Sequence, residues 1–288
     1  VTASGEIVRT GTRAKKSAAG YDLTRLMIGS EGTLGIVTEV TLKLFGISEC
    51  IGSGICHFPT IEDACQAVML TIQMCLPIAR IELLDAMQIK ACNQYANLNL
   101  TETPTLFVEF HGTEASVAEQ AQIFTDIIEE FGGTDFAWDT NEAERKRLWQ
   151  ARHNAYHASC ALRPEASALS TDACVPISRL AECVSETAKD IEASGMIGPI
   201  VGHVGDGNFH VLLLVDTNNP EEVATADGII SRLASRAIEM DGTCTGEHGI
   251  GQGKQKYMQQ EHGNALVLMQ AIKSALDPKN ILNPGKIW

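Results

Sequence analysis

Between residues 1 and 45 the hydrophobic pattern is short-ranged. An apolar strand end, a Ser4-Gly5 turn and a second strand from Glu6 to Thr10 come first. A short helical turn within GYDLTRLM, glycines at 29, 32 and 35, and a β-branched run from Ile36 to Leu44 follow, and that run predicts a strand. These residues are too few for a core of their own, so they read as the tail of a domain. A chain that starts at Val1, within what looks like a hairpin, reads as a piece of a longer one.

After Phe45 the pattern changes to strands alternating with long amphipathic helices. CIGSGICHF predicts a strand, IEDACQAVMLTIQM a helix with apolar residues at three-to-four spacing, and PIARIELLD a second strand. TLFVEFHG, the helix EASVAEQAQIFTDIIEEFGG and the strand TDFAW complete a first half, and the helix NEAERKRLWQARHNAYHASC follows. The order then recurs as strand ALSTDACV, helix SRLAECVSETAKDIEAS, strands GPIVGHV and NFHVLLLV, helix PEEVATADGIISRLASRAIEM and strand GTCTG. Each half is β-α-β-β-α-β, an order that folds as an antiparallel sheet with helices on one face. The expected class is therefore α+β, with two such units in one domain. The expected boundaries are 1–45 and 46–288, closing on LDPKNILNPGKIW, where Asn283-Pro284-Gly285 marks a turn.

Composition narrows the function. Of 288 residues, 36 are acidic and 22 basic, for a net charge of −14. That balance argues against a nucleic-acid or anionic-membrane surface, which draws on clustered Lys and Arg. No apolar run reaches the ~18 residues that a transmembrane helix needs. The nine cysteines are odd in number and include no CxxC pair, which suits scattered thiols in a reducing compartment.

Two glycine-flanked clusters carry the candidate chemistry, GHVGDGNFH at 202–210 and GEHGIG at 246–251. If Gly205 to Asn208 form a tight turn, the flanking strands run antiparallel and His203 and His210 fall at facing positions, within about 6 Å. Glu247, near the end of a later strand, would complete two His and one carboxylate, a half-open set typical of catalytic zinc. On an extended chain His248 points away from Glu247 and is left to act as a base, a role an imidazole suits near neutral pH. Each histidine could equally be a hydrogen-bonded turn residue, and the pattern leaves both readings open. Arg152, at three- and four-residue spacing from Trp149 and Tyr156, is either a solvated helix residue or a bidentate clamp for a carboxylate.

SAAGYDLTRLMIGSEGTLGIVTEVTLKL, GHVGDGNFH, GTCTGEHGIGQGK and LDPKNILNPGK, in that order, resemble the FAD-linked D-2-hydroxy-acid dehydrogenases of the vanillyl-alcohol-oxidase-type flavoproteins. The resemblance implies that residues 1–45 are the tail of an FAD-binding domain and 46–288 a substrate-binding cap, with 280–288 returning towards the flavin. It implies FAD and a divalent metal, zinc or manganese, as cofactors. His203, His210 and Glu247 would be the metal ligands, His248 the base and Arg152 the clamp on the substrate carboxylate. Glu31, Gly35, Ile36 and Asn283 would line the flavin. Leu212 stands where hydroxyglutarate-oxidising members have asparagine, which favours a small or apolar D-2-hydroxy acid such as D-lactate over D-2-hydroxyglutarate, with glycolate as the alternative. The resemblance implies cytochrome c, a quinone or an electron-transfer flavoprotein as electron acceptor, and admits a homodimer. It implies a mitochondrial location in a eukaryote, and a cytoplasmic or peripheral inner-membrane one in a bacterium. The pyrophosphate-binding front of the FAD domain has no counterpart in the chain. A module that binds metal or a partner without catalysis is the reading from another class.

Overall fold

Alternation in TLFVEFHG turns Leu106, Val108 and Phe110 to one side of a strand and Phe107 and Glu109 to the other. That parity organises the larger of two compact units. A computed structural model describes residues 1–288 as Gly46–Gly246 and, separately, Val1–Phe45 together with Glu247–Trp288. A short helix, α1 (Leu23–Met27), belongs to the smaller unit.

In the larger unit the first half runs β1 (Cys50–His57), α2 (Ile61–Gln73), β2 (Ile78–Leu84), α3 (Ala86–Ala96), β3 (Thr105–Gly112), α4 (Glu114–Glu130) and β4 (Thr134–Asp139). α5 (Glu142–His153) and α6 (Ala155–Ala161) follow. The second half runs β5 (Ser167–Ser170), β6 (Ala173–Cys174), α7 (Leu180–Ser194), β7 (Ile200–Gly202), β8 (Asn208–Val215) and α8 (Pro220–Glu239). The sheet order is β4-β1-β3-β2-β7-β8-β5, with β6 also on β8, and every pair is antiparallel. The two halves join where Leu83 and Leu84 of β2 face Gly202 and Val201 of β7. The expected α+β sheet of two repeated units is what forms.

Local chemistry starts the long helices where the sequence places polar caps. The Thr60, Thr113 and Asn219 side chains accept from the N–H of Asp63, Ser116 and Glu221, and Pro220 opens α8 without needing a donor. α2, α4, α7 and α8 cover one sheet face. There Ile81, Leu83, Leu106, Val108, Phe110, Phe209, Val211 and Leu213 pack on Val68, Phe124, Val184 and Leu233. Each fully buried side chain of this kind contributes roughly 1.5–3 kcal/mol. The opposite face is not bare, as α3, α5 and α6 cover Leu84, Phe107, Val201 and Leu212.

Several expected elements take another form. The helix expected across 141–160 breaks at Asn154, whose N–H is taken by Gln150 O and whose ψ is 0°, and the chain restarts as α6. Gln88 of α3 reaches the Ala155 carbonyl at 3.1 Å and fixes that restart. The strand expected from residue 168 to 175 is two short pieces, and Gly242–Gly246 contributes only the single bridge of Thr243 to Cys174. Residues 6–10 and 36–44 form no ladder. Ile36 exchanges two hydrogen bonds with Val1, while Val37, Val40, Leu42 and Leu44 beyond it are exposed.

The smaller unit gathers 247–288 with residues 1–45. It adds α9 (Met258–His262) and α10 (Ala265–Leu276). The Glu31 carboxylate accepts from Ile250 N at 2.6 Å and Gly251 N at 2.8 Å, which ties its two segments together. Buried Lys273 donates to the carbonyls of Thr33 and Leu282, at 2.9 and 2.8 Å, and to Asp277. Burial pushes the Asp277 carboxyl up, but that ammonium and the N–H groups of Leu282 and Ile281 outweigh it and hold it below the usual carboxylate range. No helix is long and apolar enough to cross a membrane.

Candidate functional site

Strand parity decides which side chains can meet. In β2, Ile81 and Leu83 enter the four-helix core, so Glu82 and Leu84 point to the other face. In β8, Phe209 and Val211 enter that core, so His210 and Leu212 share the face of Glu82. Polar groups therefore collect on the side covered by α5 and α6.

Glu82 is the hub of that side and is only 9% exposed. Its Oε1 lies 2.7 Å from His203 Nδ1, and its Oε2 accepts from Arg152 Nε and Nη2, both at 2.9 Å. His203 sits just past β7, before a 3₁₀ turn over Val204–Asp206 that closes on Gly207 at φ +78°. A Cβ at Gly207 would stand 2.1 Å from Val175 O, so only glycine fits there. Val201 is the strand partner of His210, so His203 lies diagonal to His210 rather than facing it. The rings still meet, with centroids 5.8 Å apart and planes at 85°. The pair's ligating nitrogens lie within 4.8 Å of each other.

Each imidazole has Nδ1 against an oxygen that only accepts. For His203 it is Glu82, and for His210 it is Thr171 O at 3.1 Å, with the Asp172 carboxylate 3.7 Å away. Both rings then carry hydrogen on Nδ1 and the lone pair on Nε2, the tautomer in which a histidine binds a metal. Nitrogen–zinc distances are roughly 2.0–2.1 Å, so two nitrogens on one ion stand about 3.4–4.1 Å apart, and the rings would close by roughly 1 Å to share it. The donor set fits a divalent cation.

Gly246 lies flat on Asn208 at the start of β8, where a Cβ would come within 2.8 Å of the Asn208 carboxamide, and Glu247 is the next residue. The expectation that Glu247 and His248 point apart rested on an extended chain. The segment is a series of bends instead, and His248 Nε2 stands 3.8 Å from Glu247 Oε1, with both side chains about half exposed.

Arg152 also differs from expectation. Asn154 separates it from Tyr156, which is exposed on α6, and the cation over the Trp149 ring is Arg80, 3.6 Å from the centroid. Trp149 Nε1 donates to Ser53 Oγ at 3.1 Å, and Ser53 donates to Glu109 at 2.9 Å. Arg80 and His111 also bind Glu109, at 2.8 and 2.9 Å. Burial pushes the Glu109 carboxyl up, and these partners outweigh it and hold it below the usual range. This network pins α5 to the sheet three residues before Arg152. Neither Glu82 nor Glu109 stands out in the sequence, where an acid in a strand reads as solvent-facing. The one available signal is that each sits among apolar residues.

Of the four residues expected along the flavin, the smaller unit brings Glu31 and Asn283 together, the Asn283 amide donating to Glu31 O. Gly32 has φ +76°, and a Cβ there would meet the Asn283 side chain. Gly35 and Ile36 run beside Val1, with Ile36 half exposed. Because the Glu31 carboxylate and the Asn283 amide already serve the chain itself, these residues fit a cofactor as lining, through backbone and apolar contact.

Residues 48–287 match the family of FAD linked oxidases, C-terminal domain. The chain belongs to that family. Among FAD-linked oxidases it is 50% identical to "Probable D-lactate dehydrogenase, mitochondrial" of Danio rerio, across 100% of this chain and 59% of that one. It is 46% identical to "D-lactate dehydrogenase [cytochrome], mitochondrial" of Arabidopsis thaliana, across 100% of this chain and 51% of that one. The chain thus spans little more than half the length of these relatives. In fold it is similar to 4-ethylphenol oxidase from Gulosibacter chungangensis, with a TM-score of 0.64 at 19% identity over 86% of this chain and 55% of that one.

Proposed function

We propose that the full-length protein oxidises a small D-2-hydroxy acid, D-lactate to pyruvate, and passes the electrons to cytochrome c. The observation that carries this reading is the array on one sheet face, two histidines held through Nδ1 and a guanidinium held along one edge by Glu82. The relatives' names support the substrate, the acceptor and a mitochondrial location. Buried Leu212, on the same face, supports an acid without a second carboxylate.

Arg152 keeps its Nε edge on Glu82 and turns the Nη1–Nη2 edge to the substrate carboxylate, a planar fork for two oxygens. His203, His210 and Glu247 would hold zinc or manganese, and Glu31, Gly35, Ile36 and Asn283 would border FAD. When bound, the ion would supply Lewis-acid polarisation of the substrate hydroxyl and FAD a two-electron acceptor for the C2 hydride. His248 takes the hydroxyl proton on an imidazole nitrogen, and the exposure of its side chain lets that proton leave to water.

The test is stopped-flow flavin reduction of the full-length protein with D-lactate, glycolate and D-2-hydroxyglutarate, alongside metal analysis. D-Lactate should reduce the flavin fastest, and about one ion per chain should be lost in His203→Ala. His248→Ala should keep ion and flavin and slow reduction by about 10²–10⁴-fold, with part of the loss recovered at high pH. Loss of the ion from His248→Ala would make that residue a ligand, and an unchanged rate would take the proton elsewhere.

A further inference from the structure

Glu82 belongs to none of the roles above, yet it alone touches two of them. It is a carboxylate in the middle of a strand, on a residue 7% exposed overall. A buried carboxylate costs stability unless its oxygens are matched, and here both are. One oxygen meets His203 Nδ1, 121 positions away in sequence, and the other meets Arg152, 70 positions away. Strand β2 supplies the acid, the turn after β7 the imidazole and helix α5 the guanidinium. Three separate elements therefore converge on one side chain.

We infer that Glu82 is a positioning residue that sets His203 and Arg152 at once, so that holding the ion and holding the substrate carboxylate depend on a single side chain. This inference rests on the function proposed above. The chemistry on each side differs. Towards His203, a carboxylate accepts from Nδ1–H and so keeps the lone pair on Nε2, where an ion is met. Towards Arg152, it occupies the Nε edge of the guanidinium and fixes the plane of the remaining edge, with its charge partly balanced at a side chain 15% exposed. Glutamine at 82 has nearly the same shape but offers one accepting oxygen and one NH₂ group. It cannot accept from both partners. If its NH₂ faces His203, the ring must accept through Nδ1 and carry its hydrogen on Nε2, which opposes metal binding. If its NH₂ faces Arg152, two donors oppose each other and the guanidinium swings away.

The experiment compares the full-length wild type with Glu82→Gln and Glu82→Asp. It measures the dissociation constant for zinc and for manganese by chelator competition, steady-state KM and kcat with D-lactate, and Tm. Glu82→Gln should fold with a Tm close to wild type and bind the ion about 10–100-fold more weakly. With the ion supplied at saturation, KM should still rise, by about tenfold, with a smaller change in kcat. Glu82→Asp keeps the charge on a shorter stem and should fall between wild type and Glu82→Gln in ion affinity. Wild-type ion affinity in Glu82→Gln would overturn the inference, as would weakened ion binding with an unchanged KM at saturating ion. A fall in Tm of equal size in both variants, with ion affinity and KM tracking it, would reduce Glu82 to a structural role and also overturn it. A wild-type protein that binds neither ion would sink the function proposed above together with this inference. A wild type that binds the ion alongside an indifferent Glu82→Gln would sink this inference alone.

Discussion

The two faces of the larger unit's sheet are made from the same strands and do different work. One face is apolar throughout, closed by α2, α4, α7 and α8, with Phe110, Phe124 and Phe136 in edge-on contact. The other mixes Leu84, Phe107, Val201 and Leu212 with Ser53, Glu82, Glu109 and His210, and carries the shorter helices α3, α5 and α6. Successive residues of one strand serve opposite ends. Leu83 is core and Glu82 belongs to the proposed site, and Phe209 is core where His210 belongs to that proposed site. The lesson is that a period of two can separate stability from chemistry without separating them in sequence.

The sharpest way to break this division is to remove volume from the apolar face. Phe124→Ala, at a fully buried position, should cost about 3–5 kcal/mol in urea unfolding while leaving KM for D-lactate unchanged in whatever protein stays folded. A raised KM would mean that the faces are coupled. Next in size is Arg152→Lys, which keeps the charge but loses the planar fork. It should lower kcat/KM for D-lactate by about 10²-fold with little change in Tm. An unchanged kcat/KM would return Arg152 to a structural partner of Glu82.

The smallest effect concerns Asp85, which caps α3 on the polar side by accepting from Gln88 N at 2.7 Å. Burial pushes its carboxyl up to about 7. The folded state therefore holds this proton more tightly than the unfolded state, so this group's contribution to stability is greatest at low pH and is lost as pH rises from about 4 through 7. Asparagine caps a helix as well and does not ionise. Asp85→Asn should match wild type near pH 2, where the wild-type group is protonated in both states, and exceed it in stability at pH 8, where the wild-type group has ionised. Equal unfolding midpoints at pH 8 would show that the capping bond offsets the burial.

Legibility in the sequence followed the same parity. β1, α2, β2, β3, α4, α7, β8 and α8 match their expected spans closely, because each carries a full stripe or a clean alternation. α3 was missed, since AMQIKACNQYA puts Gln88, Lys90 and Asn93 among its apolar residues and leaves only a faint stripe. α5 and α6 look continuous because the restart is fixed by Gln88 of α3 on the Ala155 carbonyl, which is a long-range fact. Ile36–Leu44 looks like a strand, but β-branched residues make a strand only where a ladder partner is supplied. At the site, the histidines were visible from their glycines and Arg152 from family resemblance. Glu82 was not, since its meaning depends on the β2–β7 pairing that brings residues 83 and 202 together.

The discontinuity of the smaller unit sets an order of events during synthesis. The Glu31 carboxylate waits for Ile250 and Gly251, and the Thr33 carbonyl waits for Lys273, with all of Gly46–Gly246 emerging in between. At translation rates of about 5–20 residues per second, those roughly 200 residues take about 10–40 s. For that interval the Glu31 carboxylate and the Thr33 carbonyl stand without the partners that later hold them, while the continuous unit behind them can already fold. Residues 1–45 therefore emerge well before the segment that holds them and are the last to be locked.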